Sequence, residues 1–325
     1  MFKAIISGVI LSLSSIFNVA IANDYPPSTI NMLAPAGPGS GWDLTIRTVA
    51  KTLNETGIVD ANMPVTNRPG GGGTVNLAYM QTQKGKGNLI SVYSPPILLT
   101  NLTGFTQYSY KDTTPIAKII TDYAVFVVPK NSKYNSITEV MDALKKDPKS
   151  VKIGGVSAAG SKDHIQFLLV AKAAGVKDIR QIDYVSFQDG SIVAQALGGH
   201  VDLISTAMGN VLGVVKAGKL KALAQTADKR IGEGIEYEIP TVKEQGIDIV
   251  FENWRGLFGP KDMPEEAVNY WRNAIKEMVK TPEWKAALKR NGWDDTYQDQ
   301  DDFIQFLSKT NEQYSELIKE VFNRS

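Results

Sequence analysis

The feature that most constrains this chain is a repeated junction: a short apolar run, a glycine cluster, then a helix-like pattern. It occurs at TINMLA-PAGPGSG-WDLTIRTVAKTLN (Thr29–Asn54) and again at MPVTN-RPGGGG-TVNLAYMQ (Met63–Gln81). Apolar runs that alternate with amphipathic segments build parallel sheets, because parallel neighbours need a crossover helix rather than a tight turn. The alternation continues along the chain. Further strand candidates include Leu89–Tyr93, Ala117–Ile120, Ala124–Val128, Val151–Gly154, Gln181–Val185 and Leu220–Gln225. Helix candidates include Asp43–Asn54, Thr74–Gln81, Ser136–Lys146, Lys162–Ala174, Ile192–Leu197 and Val211–Ala217. Two long amphipathic helices are expected near the end, at Glu265–Val279 and Asp301–Phe322. The fold class is α/β.

The pattern changes style twice. A new strand–helix series starts near Val128–Asn131, and an irregular stretch begins after Gln225–Lys229. Both ends of the chain, 23–125 and 226–325, are therefore expected to form one domain, with 126–225 inserted as the second. Two crossings between domains make a hinge.

Residues 1–22, MFKAIISGVILSLSSIFNVAIA, combine Lys3, an apolar run and a small-x-small ending at Ala20-Ile21-Ala22. This is the pattern of a secretory signal peptide cleaved after Ala22, which predicts an exported, periplasmic protein. With no cysteine in the chain there is neither a lipid-anchor cysteine nor a disulfide framework. Loss of Lys3 takes the 35 basic residues to 34, against 34 acidic ones. A neutral mature chain without a basic stripe argues against nucleic acid as a partner. An anionic ligand would have to be held by local geometry.

The glycine loops supply such geometry. Gly37, Gly39 and Gly41 alternate with Pro38 and Ser40, and Asn67-Arg68-Pro69 precedes Gly70, Gly71, Gly72 and Gly73. Glycine lets a ligand approach the backbone, and the free N–H groups and dipole of the following helix favour a carboxylate or phosphate. Nucleotide readings fail on spacing: GPGSGW is not G-x-G-x-x-G, and no G-x-x-x-x-G-K-[ST] is present. Asp43, in the first turn, is read as structural, offsetting the dipole and pairing with Arg47 at i+4. Arg68 is either a carboxylate partner or a solvated loop residue.

A third junction, Val156-Ser157-Ala158-Ala159-Gly160-Ser161, precedes Lys162-Asp163-His164. Ser157 and Ser161 are candidates either to donate to a ligand oxygen or to cap the helix. Chemistry beyond binding is not indicated. GVSAAG is not a G-x-S-x-G elbow, and neither His164 nor His200 has H-E-x-x-H-like spacing to other metal ligands. No catalytic residues, metal or cofactor are expected, and an exported hydrolase is disfavoured for want of a nucleophile constellation.

Taken in order, APAGPGSGWDLTIRTVAKTL, VTNRPGGGGTVNLAYM, FVVPKNSKYNSITEVMDAL, QALGGHVDLISTAMGNV, LKALAQTADKR and IPTVKEQGIDIVFENWRGLFGP resemble the tripartite tricarboxylate transporter solute-binding proteins, the Bug/TctC family. The resemblance covers essentially the whole chain after the signal peptide, and ENWRGLFGP looks like the tricarboxylate-binding branch. It implies a type II periplasmic-binding-protein fold, two α/β lobes with a hinge and a ligand cleft between them. It also implies capture of a di- or tricarboxylate such as citrate and its delivery to a permease of large and small integral subunits; a monomer is expected by default. A carboxylate-sensing input to a membrane sensor kinase is the alternative. Carried onto this chain, Pro38, Gly39, Ser40, Gly41, Asn67 and Gly70–Gly73, assisted by Ser94, would hold one carboxylate. Ser157, Ser161 and the Phe187–Asp189 turn, with Phe187 and Asp189 as its contacts, would close over the other end. The chain departs from the family at Ser40, where glycine is common, at Gly71, where alanine is usual, and at Lys86–Ile90, usually D-G-Y-T-L.

Overall fold

In a computed structural model, residues 25–187 and 191–322 are described; the proposed signal peptide and Asp189 lie outside them. The strands are β1 (Asn31–Ala34), β2 (Val65–Asn67), β3 (Leu89–Tyr93), β4 (Thr113–Pro129), β5 (Ile153–Gly155), β6 (Tyr184–Ser186), β7 (Leu203–Ala207), β8 (Leu220–Gln225) and β9 (Glu252–Pro260). The helices are α1 (Gly41–Glu55), α2 (Thr74–Gln81), α3 (Pro96–Leu102), α4 (Ile137–Lys146), α5 (Lys162–Ala173), α6 (Ile192–Leu197), α7 (Met208–Lys216), α8 (Ile235–Glu238), α9 (Glu265–Met278), α10 (Pro282–Asn291) and α11 (Gln300–Phe322).

The strands follow the order β2-β1-β3-β9-β4-β7-β5-β6, with β8 on the other side of β4. As expected, β1 runs parallel to β2 and β3, and β5 runs parallel to β6 and β7. Two predicted strands, Ala117–Ile120 and Ala124–Val128, are one: nothing in Thr121-Asp122-Tyr123 breaks an extended chain, and β4 runs on for 17 residues. Its partners change midway. Thr113 to Tyr123 pairs with β9, whereas Ala124 to Pro129 pairs with β7 and β8. The stretch after Lys229 that reads as irregular contains the nine-residue β9, the second strand at this crossing. Thr226, fully buried, ties the crossing segments together. Its hydroxyl accepts the Ala124 N–H (3.1 Å) and donates to the Phe251 carbonyl (2.8 Å).

Both faces of the sheet are covered, and side-chain alternation decides where each residue goes. On β1 and β3, Met32, Ile90 and Val92 pack under α1, α9 and α10 with Ile46, Val49, Trp271 and Trp284. Leu33, Leu89 and Tyr93 face the opposite core. On the second half of β4, Phe126 and Val128 join that same core, while Val125 and Val127 pack against α6 and α7. Helix α11 buries Phe303, Leu307, Tyr314, Leu317 and Ile318 along one stripe, joining side chains from both halves of the sheet. The parallel strands therefore point the loops after β1, β2, β3 and β5 toward one crevice, where open α/β sheets bind ligands.

Candidate functional site

The crevice encloses about 600 Å³, a size suited to a small organic molecule. Its first wall starts at α1. Ser40 is the N-cap, its Oγ accepting the Asp43 N–H at 3.3 Å, and its hydroxyl hydrogen stays free to donate. Asp43 is buried, and its carboxylate accepts the Gly39 N–H (2.9 Å), the Asn67 amide (2.8 Å) and Arg47 Nε (2.8 Å). The expected i, i+4 pair is thus one arm of a network that ties the first glycine loop to the second. Burial pushes the Asp43 carboxyl up, but those three donors outweigh it and hold it below its ordinary value. The N–H groups of Gly41 and Trp42 take no protein partner among the described residues, as the first turn of a helix requires.

The second loop is set by backbone conformation. Gly70, Gly71, Gly72 and Gly73 have φ of 135°, 55°, 65° and 97°, a run of positive angles that only glycine adopts without strain. Gly71 and Gly72 line the crevice, and their N–H groups have no protein partner among the described residues. Ser94, at the end of β3, accepts the Trp42 indole N–H at 2.9 Å and fixes that ring on the wall.

The facing wall is the Val156–Ser161 loop before α5, and it repeats the device of α1. Asp163, fully buried, accepts the Val156 and Ser157 N–H groups at 3.0 Å each and pairs with Lys162. Ser157 Oγ accepts the Asp163 N–H (2.8 Å), so Ser157 caps the helix, while Ser161 makes no side-chain capping bond. The N–H groups of Ala158, Ala159 and Lys162 remain without a protein partner among the described residues. His164 stands behind the loop, its Nδ1 accepting the Gly160 N–H at 3.0 Å and its ring stacked on Tyr184. Burial lowers its pKa to about 4, so it is neutral at pH 7.

Of the expected residues, Ser40, Gly41, Gly71, Gly72, Ser94, Ser157 and Ser161 line the crevice. Pro38, Gly39, Asn67, Gly70, Gly73 and Phe187 do not. The Gly39 N–H is taken by Asp43, and the Asn67 amide is spent on Asp43 and the Ala36 carbonyl (2.8 Å), so both position the loop. Gly73 packs against Tyr93, Trp42 and Pro35, and Phe187 packs against the core around α6 and α7. Arg68 does not line the crevice, and its guanidinium lies 3.5 Å over the Tyr79 ring.

Sequence reasoning missed the floor of the crevice, which comes from the crossing strands: Asp122 of β4, and Asn253 and Arg255 of β9. Arg255 is only 7% exposed. Its Nη1 donates to the Asn253 carbonyl (3.1 Å), Asn253 Oδ1 (2.8 Å) and the Trp254 carbonyl (3.3 Å), and its Nε has no partner. Its Nη2 lies so near Gly41 that a Cβ there would come within 2.9 Å. Burial disfavours the charge on Arg255 and pushes the Asp122 carboxyl up, each opposing the other's effect. A signal existed: Asn253 and Arg255 alternate in an otherwise apolar strand, placing two polar groups on one face.

Besides the Asp122 carboxylate, the crevice presents N–H groups, hydroxyls, the Arg255 guanidinium and the Lys162 ammonium, a set complementary to an anion. Among the described residues no group of His, Cys, Asp or Glu could hold a metal ion, and no helix is long and apolar enough to cross a membrane. Residues 45–322 match the family model of the tripartite tricarboxylate transporter family receptor. The chain belongs to that family. Its members are solute-binding receptors rather than enzymes, as the resemblance implied. Similar proteins include BugT of Bordetella pertussis, 24% identical over 320 residues, covering 97% of this chain and 95% of BugT. A UPF0065 protein from the gbd 5′ region of Cupriavidus necator is 25% identical, covering 96% of this chain and 93% of its own length. A TctC solute-binding protein from Polaromonas superposes with a TM-score of 0.74 at 27% identity, covering 91% of this chain and 99% of that one. The expected two-lobed receptor fold is thus the observed one.

Proposed function

We propose that this receptor captures a di- or tricarboxylate of the citrate type in the crevice and delivers it to the large and small membrane subunits of a tripartite transporter. The observation that carries the reading is that the helix N-termini of α1 and α5, one on each wall, open on the same crevice as the buried Arg255. Gly41, Trp42, Gly71 and Gly72 would hold one carboxylate, and Ala158, Ala159, Ser161 and Lys162 another. Proteins of the same fold hold malate, with a TM-score of 0.74 and 18% identity, and adipate, with 0.76 and 21%, which supports an acid of that size.

Residues 23–125 and 226–325 form one lobe in this reading and 126–225 the other, with the change of β4 partners after Tyr123 as the hinge. Closure excludes water and strengthens each hydrogen bond to the anion. Release to the permease requires affinity near the micromolar level, about −8 kcal/mol. The chain works as a periplasmic monomer, exported by its first 22 residues.

The test is thermal denaturation of residues 23–325 against a panel of organic acids, amino acids and sugars. At a hundredfold excess over Kd a true ligand adds roughly 2.7 kcal/mol. Stabilisation by a neutral or cationic compound, with none by any carboxylate, would refute the reading.

A further inference from the structure

We infer that the crevice selects acids carrying a hydrogen-bond donor, a hydroxyl or an ammonium, beside their carboxylates, and that Asp122 imposes the choice. This rests on the carboxylate-receptor reading above and deepens it.

Asp122 stands on the crevice floor opposite Asn253 in the β4–β9 register. Its Oδ2 is 3.4 Å from Asn253 Nδ2 and 3.9 Å from Arg255 Nη2, both too long for a strong hydrogen bond. The cations that act on it are Arg255 and Lys162, and neither satisfies it. Lys162 is paired with Asp163, while Arg255 spends Nη1 on the backbone and side chain of its own strand. The Asp122 side chain lines the crevice and keeps 17% of its surface exposed, so a bound solute can reach it there.

The floor therefore carries an acceptor between two anion-binding walls. Arg255 Nη2, beside Gly41, belongs to the α1 wall, and Lys162 belongs to the α5 wall. The charges of Arg255 and Lys162 favour the ionised form against the burial that opposes it, and in that form the carboxylate accepts only. Placed against a ligand methylene, it loses water without gaining a partner; placed against a ligand carboxylate, it repels. A hydroxyl or ammonium at that point fills it. A site built to bond a donor rejects the analogue that lacks one because its own polar group is left unpaired. The expected preference is on the order of 10- to 100-fold.

Citrate and tricarballylate isolate the effect, sharing three carboxylates and differing by one hydroxyl; malate and succinate repeat the comparison on a smaller frame. Isothermal titration calorimetry on residues 23–325 should show citrate or malate bound about 10- to 100-fold more tightly than its deoxy partner. In Asp122→Ala the ratio should fall to about threefold or less, well inside what one hydrogen bond supplies. Asp122→Leu keeps about the length of the side chain while removing both oxygens, and serves if the alanine variant does not fold. Equal binding of the deoxy acids to the wild type overturns this inference and leaves the receptor reading intact. Discrimination that persists in both variants overturns the assignment to Asp122. Failure of all four acids, with binding of an uncharged or cationic solute, overturns the receptor reading and this inference with it.

Discussion

Asp43→Asn is the substitution whose cost follows most directly from the geometry. One carboxylate oxygen accepts the Gly39 N–H, and the other accepts Asn67 Nδ2 and Arg47 Nε, all within 2.9 Å. An asparagine there offers one acceptor and one donor, so on one side an N–H must face an N–H. The charge-assisted bond lost to a buried group costs about 1.5–3 kcal/mol. The pair with Arg47, whose side chain is 48% exposed, adds less than about 1 kcal/mol. The dipole contribution at the first turn adds about 0.3–1 kcal/mol. The sum is roughly 2–5 kcal/mol, or a fall in Tm of roughly 3–8 °C for a chain of this size. The pH dependence has a definite sign. Asp43 titrates below its ordinary value of 3.8, so its contribution is complete above that pH and disappears as the pH falls through the lowered pKa. The melting difference between wild type and variant should be full at pH 7 and narrow below pH 3.8. Differential scanning calorimetry across that range is the assay. Equal melting at pH 7, or a difference indifferent to acid, would refute the role given to this network. Because Asp43 also anchors Gly39 and Asn67, ligand affinity should fall with stability.

Other substitutions probe separate parts of the structure. Gly72→Asp puts a carboxylate on the crevice wall at φ 65°, where a left-handed aspartate costs about 1–2 kcal/mol; carboxylate binding should fall at least about 100-fold with the fold retained. Wild-type affinity in calorimetry would remove the second glycine loop from the site. His164 has its pKa lowered to about 4 from 6.5 by burial, so its contribution is complete above 6.5 and is lost as pH falls toward 4. Over that interval wild type should lose about 3 kcal/mol more than His164→Gln in urea unfolding, and parallel profiles would contradict this. Glu252→Gln strands Lys118, which is 2% exposed and keeps Phe306 at 4.3 Å and the field of Asp294 to favour its charge. It should cost about 3 kcal/mol, largely recovered by adding Lys118→Met; an unchanged midpoint would show that the pair is solvated.

The legibility of the sequence varied with the range of the interactions involved. Helices α1, α4 and α5 are near where the 3.6-residue pattern places them, and the parallel β1–β2–β3 unit follows from its glycine junctions. The local pair Asp43–Arg47 was readable for the same reason. What failed was non-local. Ala117–Ile120 and Ala124–Val128 look like two strands because their apolar runs face different cores, and the change of partners after Tyr123 cannot be seen from spacing. Glycine loops announced the walls of the crevice. Its floor depends on the pairing of Asp122 with Asn253 across 131 residues, so Asp122 and Arg255 gave no comparable signal. Asn67 shows a different case: a polar residue beside a glycine cluster whose amide bonds Asp43 and the Ala36 carbonyl.

The most direct test of carboxylate capture between the two walls is a crystal structure with the tightest-binding acid from the panel. One carboxylate should lie within hydrogen-bond distance of the Gly41, Trp42, Gly71 or Gly72 N–H groups, and another near those of Ala158, Ala159 or Lys162. An acid bound outside the crevice, or held there with no contact to either set of backbone N–H groups, would contradict the account.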